Sequence, residues 1–185
     1  EGPFLSAKQT VRDYRMEDRV EVRFGDGLQI LSKEDEITAV TICGMGGELI
    51  SRILEAGYSG GHLNGQERLI LQPNVAEHFV REWLMKYSYR ITHETVVEDN
   101  HRLYEIIVAE PVNERVEYTE IELKYGPILL KEPTELCVAK WNRMNRKNKE
   151  ILEQLQKSKT PQHEKIEQFE KAFNELQGVI DRANS

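Results

Sequence analysis

The chain has 185 residues, with 25 Lys and Arg against 32 Asp and Glu and a formal net charge of −7. That length suits one domain with an appendage, and the acidic balance argues against a nucleic-acid binder that uses its whole surface. No apolar run approaches the ~20 residues of a membrane span, nothing resembles a signal peptide, and the two cysteines, Cys43 and Cys137, stand in no metal spacing and read as reduced thiols of a cytoplasmic protein.

The chain opens on Glu1-Gly2-Pro3-Phe4 rather than on methionine, which suggests that an N-terminal segment is missing. Residues 3–16 read as an amphipathic helix, with Phe4, Ala7, Val11 and Tyr14 on one face. Val20 to Phe24 alternates apolar and polar and predicts a short strand ending at Gly25-Asp26-Gly27. Leu28, Ile30 and Leu31 make a brief helical turn, and Ser32 to Glu36 a charged loop. The β-branched run from Ile37 to Cys43 predicts a buried strand that enters the cluster Gly44-Met45-Gly46-Gly47, and a helix follows over 47–57. Arg68 to Gln72 is the next strand, stopped by Pro73-Asn74, and residues 75–87 form a helix with Val75, Phe79, Val80 and Leu84 inward. Tyr89 to Val97 and Arg102 to Glu110 are β-rich runs separated by four polar residues, the signal of an antiparallel hairpin.

Residues 112–133 are a connector between a first domain over 1–111 and an arm over 134–185. In the arm, Cys137, Trp141, Met144, Asn148, Ile151 and Leu155 recur in steps of four and three, as do Ile166, Phe169, Phe173, Leu176 and Ile180. Thr160-Pro161 between them has the form of an N-cap and first-turn proline. The arm is therefore an antiparallel helical hairpin with a coiled-coil seam, in which Asn148 would fix register.

Three constellations carry chemical potential. Asp26 between two glycines at a strand end can accept from an amine or a ribose hydroxyl, or can be a plain turn. The glycines at 44, 46 and 47 leave room at the mouth of a sheet, where ligands of α/β folds bind, and Met45 can pack on a flat ring; close strand–helix packing would explain the glycines equally. Gln72-Pro73-Asn74 ends the neighbouring strand, and its amides can pair with a nucleobase edge. No nucleophile–base set is placed on this face, and the five histidines give no metal spacing. Between Lys140 and Lys165 stand eight basic residues and three acidic ones, so Lys140, Arg143, Arg146, Lys147 and Lys149 form a basic stretch on an otherwise acidic chain. This suits phosphate contacts to a nucleic acid.

Thr41 to Gly47, Leu69-Ile70-Leu71-Gln72-Pro73-Asn74, Tyr104-Glu105-Ile106-Ile107 and Tyr125-Gly126-Pro127 together resemble the bacterial tRNA (adenine-N1)-methyltransferases that modify adenine 22. The resemblance spans nearly the whole chain. It implies an α/β fold: a partial Rossmann-like class I methyltransferase sheet with an antiparallel terminal hairpin, followed by the helical arm. It also implies S-adenosyl-L-methionine as methyl donor and tRNA as substrate. Gly25, Asp26 and Gly27 would then lie near the cofactor adenine, Gly44, Met45, Gly46 and Gly47 would also bind the cofactor, at the place where many adenine methyltransferases carry an Asn/Asp-Pro-Pro-aromatic motif, and Gln72, Pro73 and Asn74 would border the same pocket as catalytic residues. The resemblance places the family's first strand and acidic cofactor loop before Glu1. A non-catalytic RNA-binding scaffold is the alternative. A monomer, with no metal and no membrane contact, is expected.

Overall fold

The computed structural model describes residues 1–157 and 162–184. Thr160-Pro161, expected to begin the last helix, lies outside them.

The centre is a four-stranded sheet in the order β1-β2-β4-β3. Strands β1 (Ala39–Met45) and β2 (Arg68–Pro73) are parallel, with Val40 beside Leu69 and Ile42 beside Leu71. These four side chains are buried. Helix α2 (Gly47–Ser59) crosses between the two strands and buries Ile50, Leu54 and Gly57 at helical spacing. Helix α3 (Glu77–Lys86) then leads to the hairpin of β3 (Tyr89–Asp99) and β4 (Arg102–Pro111). Strand β4 turns back and inserts antiparallel between β2 and β3. The core under α2 and α3 gathers Leu28, Ile50, Leu54, Leu69, Leu71, Val80, Trp83, Leu84, Tyr89 and Ile107.

The hairpin carries one extra residue. The pairing steps from Ile91–Ala109 to His93–Val108, leaving Thr92 as a bulge. A bulge reverses the in–out alternation beyond it. Glu94 and Val96 are therefore buried along with Tyr89 and Ile91.

Helix α4 (Glu120–Tyr125) lies within the connector and opens on a reciprocal cap between Thr119 and Glu122. Helices α5 (Glu135–Gln156) and α6 (His163–Ala183) form the arm. Its base is a second core in which Val96, Tyr125 and Leu129 meet Cys137, Trp141, Leu176, Val179 and Ile180. Burial pushes the Cys137 thiol up to about 12, so this cysteine is an inert packing residue.

Several expectations are corrected. Val20 to Phe24 forms no strand, because no partner strand pairs with it among the described residues. Helix α1 (Gly2–Asp13) buries none of its residues, and Phe4 touches only the edge of Phe24 among the aromatic rings. Cys43 is exposed rather than buried, because it points to the sheet face opposite Ile42. Ala76 takes a left-handed conformation and delays α3 to Glu77, which leaves Val75 and Phe79 exposed while Val80 and Leu84 are buried. In the arm seam the buried polar residue is Asn145, not Asn148. Trp141 and Asn145 are four apart, and Met144 faces outward.

Candidate active site

The carboxyl ends of β1 and β2 are laced together side by side. The Asn74 amide donates to the Met45 carbonyl at 2.7 Å, and the Gly47 amide donates to the Val75 carbonyl at 2.8 Å. The Gln72 side chain adds two further bonds. Its Oε1 accepts from the Gly44 amide at 2.9 Å, and its Nε2 donates to Asn74 Oδ1 at 3.1 Å. The direction of this chain is forced. A backbone N–H can only donate, so Gln72 must turn its oxygen toward Gly44 and its nitrogen toward Asn74. Asn74 must then offer its oxygen to Gln72. One lone pair of that oxygen and the whole amide nitrogen remain for a ligand.

The glycines of this turn divide into two kinds. Gly47 is a packing residue: a Cβ there would sit 2.0 Å from the Ala76 carbonyl oxygen. Gly44 adopts a φ of +80°, and a Cβ there would meet nothing within 4 Å. At Gly46 the nearest atom would be a Val75 methyl at 3.9 Å. Backbone is thus bared at the strand end, and Met45 beside it is exposed. Pro73 is buried, pairs with Met45 and offers no N–H.

Gly25, Asp26 and Gly27 stand apart from this lacing. They lead into a single 3₁₀ turn (Gly27–Ile30), with Asp26 at its N-cap, that docks on α2 through Leu28, which packs against Gly57. Arg23 anchors the loop by bonding Glu21, Asp35 and the Ile30 carbonyl. The Arg23 guanidinium holds the Asp35 carboxyl well below the usual carboxylate range. Asp26 makes no side-chain capping bond and lines a cleft of about 200 Å³ with Leu28, Leu49, Arg52 and Ile53. Helix α2 joins the two regions, since it starts at Gly47 and carries Leu49, Arg52 and Ile53.

The basic residues of the arm also divide. The Lys140 side chain is 12% exposed, and its ammonium lies between Glu77 and Glu105, 2.6 Å from the latter. Two carboxylates thus already face the ammonium that was expected to meet phosphate. Arg143 donates to the His101 carbonyl at 2.9 Å, with Glu98 at 4.0 Å. Arg146, Lys147 and Lys149 are exposed and make no ion pair among the described residues.

Lys140 belongs to a buried network that the sequence did not disclose. Arg81 is fully buried, 2.8 Å from Glu94 and 2.5 Å from Glu105. It also donates to the carbonyls of Leu123 and Lys124, while Glu94 accepts from the amides of Ile128 and Leu129. Burial alone would raise the Glu105 carboxyl, but Arg81 and Lys140 beside it hold it below its ordinary value. The glycine of Tyr125-Gly126-Pro127 lies against this network at a φ of +91°, where a Cβ would stand 2.7 Å from a Glu94 oxygen. The signal that could have found this network is Glu105 itself, since a carboxylate in an apolar strand needs a buried partner.

Among the described residues no cluster of His, Cys, Asp or Glu could hold a metal ion, and no helix is long and apolar enough to cross a membrane.

A sequence model of the tRNA (adenine(22)-N(1))-methyltransferase family matches residues 1–178. The Bacillus subtilis (strain 168) tRNA (adenine(22)-N(1))-methyltransferase is 40% identical over 187 aligned residues, covering 98% of this chain and 77% of the relative. Among solved structures, an uncharacterized Listeria monocytogenes serotype 4b protein superposes with a TM-score of 0.91 at 34% identity, over 97% of this chain and 79% of that one. A Streptococcus pneumoniae protein, provisionally assigned as a tRNA (m1A22) methyltransferase and solved in complex with S-adenosyl-L-methionine, gives 0.85 at 32% identity over 97% and 77%. Laced glycine and amide turns at the carboxyl ends of a sheet with an inserted antiparallel strand agree with these matches, and the chain belongs to the tRNA (adenine(22)-N(1))-methyltransferase family.

Proposed function

We propose that the carboxyl-end face of this sheet methylates N1 of adenine 22 in tRNA, with S-adenosyl-L-methionine as donor, in a protein that acts as a cytoplasmic monomer. The observation that carries the reading is the lacing of Gly44 to Asn74 through Gln72, which sets bare backbone beside an oriented amide.

The residues fit the cofactor. The open space over Gly44 and Gly46 lets a ligand reach the backbone, as only a glycine turn permits. The Asp26 carboxylate beside Leu28, Leu49 and Ile53 suits a flat base with an exocyclic amine. Gly25, Asp26 and Gly27 would therefore hold the adenosine part, and Gly44, Met45, Gly46 and Gly47 the reacting end. When bound, this cofactor supplies an electrophilic methyl group.

What the chain must do is modest. Adenine N1 carries an in-plane lone pair, so no residue need remove a proton before it attacks. This accords with a site built from amides. The task is orientation, which is worth much of the barrier in a two-reactant step. Asn74 can accept from the adenine amine with the remaining lone pair of Oδ1 and leave the N1 lone pair unshared. N1 lies on the pairing edge, so the base must be unpaired or flipped out to reach the site. The exposed cations Arg146, Lys147 and Lys149 would hold the tRNA backbone, and Arg143, which shares a cleft with Asn74, would do so closer to the site.

The test is transfer of labelled methyl to tRNA, followed by nucleoside analysis. Label in 1-methyladenosine, lost when adenine 22 is replaced by guanine, is expected. Label at another base or position would redirect the reading. Absence of cofactor binding in calorimetry, with tRNA binding retained, would leave an RNA-binding scaffold.

A further inference from the structure

Past Asn74, toward the arm, the rim of the sheet opens into a cleft of about 420 Å³. Its walls include Asn74 and Val75 after β2, Arg102 and Tyr104 at the start of β4, and Arg143 and Met144 on α5. The volume lies within the ~300–1,000 Å³ of small-ligand sites. The walls combine two chemistries. Val75 is 64% exposed and Met144 36%, so the cleft bares large apolar groups to water. Tyr104 pairs with Val97, on the strand face opposite the buried Glu105, and its hydroxyl makes no hydrogen bond among the described residues. Two guanidinium groups line the same opening. Arg102 makes no ion pair among the described residues, and Arg143 is held toward the hairpin turn by its bond to the His101 carbonyl.

An apolar and aromatic surface beside two guanidinium groups matches a ribonucleotide. Guanidinium takes the phosphate, and a ring and a thioether take the base. The cleft also has neighbours that fit such an occupant. It shares Asn74 with the proposed adenine site, and Arg143 begins the row that continues through Arg146 and Lys147.

We propose that this cleft is a second nucleotide subsite, which holds the tRNA nucleotide next to the target adenine. The phosphate lies between Arg102 and Arg143, and the base lies against Tyr104, Val75 and Met144. The subsite rests on the reading of the Gly44–Asn74 edge as the adenine site. A base drawn out of its stack leaves a bent backbone beside it, and holding the adjacent nucleotide offsets that cost.

The experiment places a tryptophan in the cleft, Tyr104→Trp, in the otherwise intact protein. The two native tryptophans, Trp83 and Trp141, are buried and give a steady background. Titration with tRNA should quench the new indole along the same isotherm as the anisotropy of labelled tRNA. Tyr104→Ala should weaken tRNA binding about ten-fold, the scale of one lost base stack. Arg102→Gln, a surface change that leaves folding intact, should reduce the salt slope of tRNA binding by about one. Binding by anisotropy with an unchanged indole and an unchanged slope overturns the subsite and leaves the adenine reading standing. Equal quenching by heparin, a polyanion without bases, also overturns it. Failure of tRNA to bind at all removes the tRNA reading and the subsite with it.

Discussion

Gln72 decides which way Asn74 faces. Its own orientation is dictated by the Gly44 amide, so a backbone group of one strand sets the polarity of a side chain on the next. Gln72→Glu keeps the acceptor for Gly44 but cannot donate, and Asn74 must turn its nitrogen inward. That moves the Asn74 oxygen across the width of an amide group. Turnover should fall on the order of 10²-fold, the cost of a misplaced positioning group. Asn74→Asp keeps an oxygen in place, still bonded by Gln72, and should retain most of the turnover lost in Asn74→Ala. In Gln72→Glu and Asn74→Ala kcat should move more than the affinity for tRNA. If Asn74→Asp is as poor as Gln72→Glu, the outward amide nitrogen is the working group instead. The two residues and the glycine turn were legible in the sequence, since both motifs close adjacent strands. What was not legible was the division among glycines, with Gly47 filled by the Ala76 carbonyl and Gly44 open. Gly126 shows the same limit. It stands in the sequence only as part of Tyr125-Gly126-Pro127, yet it lies against the Arg81–Glu94 pair, and Gly126→Ala should cost about 1–3 kcal/mol in urea unfolding from left-handed strain and crowding combined.

At the scale of elements, periodicity located both helices of the arm, α2, α3 and all four strands of the sheet. It failed where an element depends on something outside its own sequence. Val20 to Phe24 has strand alternation but no ladder partner among the described residues, and an isolated strand is no strand. The Thr92 bulge has no local signature, yet it decides that Glu94 turns toward Arg81. The arm seam was read in steps of four and three, but Trp141 to Asn145 is a step of four. Asn145 gives its amide to Gln177 of α6 at 3.0 Å and leaves its carbonyl oxygen without a partner among the described residues. The ion network that joins these elements should be sensitive to its centre. Arg81→Met strands Glu94 without a cation and should cost about 3–5 kcal/mol, the usual result of breaking one side of a buried pair. The acid sensitivity follows in sign. The folded Glu105 carboxyl is depressed, so its contribution is fully present above the ordinary value of 4.5 and is lost as pH falls through the lower folded value. Thermal unfolding followed between pH 7 and pH 3 should lose stability below that ordinary value, and Glu105→Gln should flatten that part of the profile.

For the whole molecule, the arm and the catalytic sheet act as one object only while their relative placement is held. Lys140 is one polar tether between them, beside the apolar base of the arm and the bond of Arg143 to the His101 carbonyl. It leaves α5 and reaches Glu105 in β4 and Glu77 at the start of α3, one turn beyond the Asn74 edge. Composition alone put Lys140 with the tRNA contacts, because charge counting cannot tell a solvated lysine from a paired one. Its actual position separates two ways of losing tRNA. Reversal of charge at Arg146, Lys147 and Lys149 would remove the proposed phosphate contacts, so binding should weaken and the slope of log affinity against log salt should fall by up to ~0.9 per contact. Lys140→Met removes no phosphate contact. It leaves Glu77 without its cation and Glu105 with Arg81 alone, and the arm loses one tether to the site. Methyl transfer to tRNA should therefore drop while the salt slope stays at its original value, and Trp141 at the base of the arm should become more accessible to acrylamide. A slope that falls in Lys140→Met as it does in the Arg146 and Lys147 variants would show that Lys140 leaves its carboxylates to meet the RNA, and that the arm is placed by its apolar base alone.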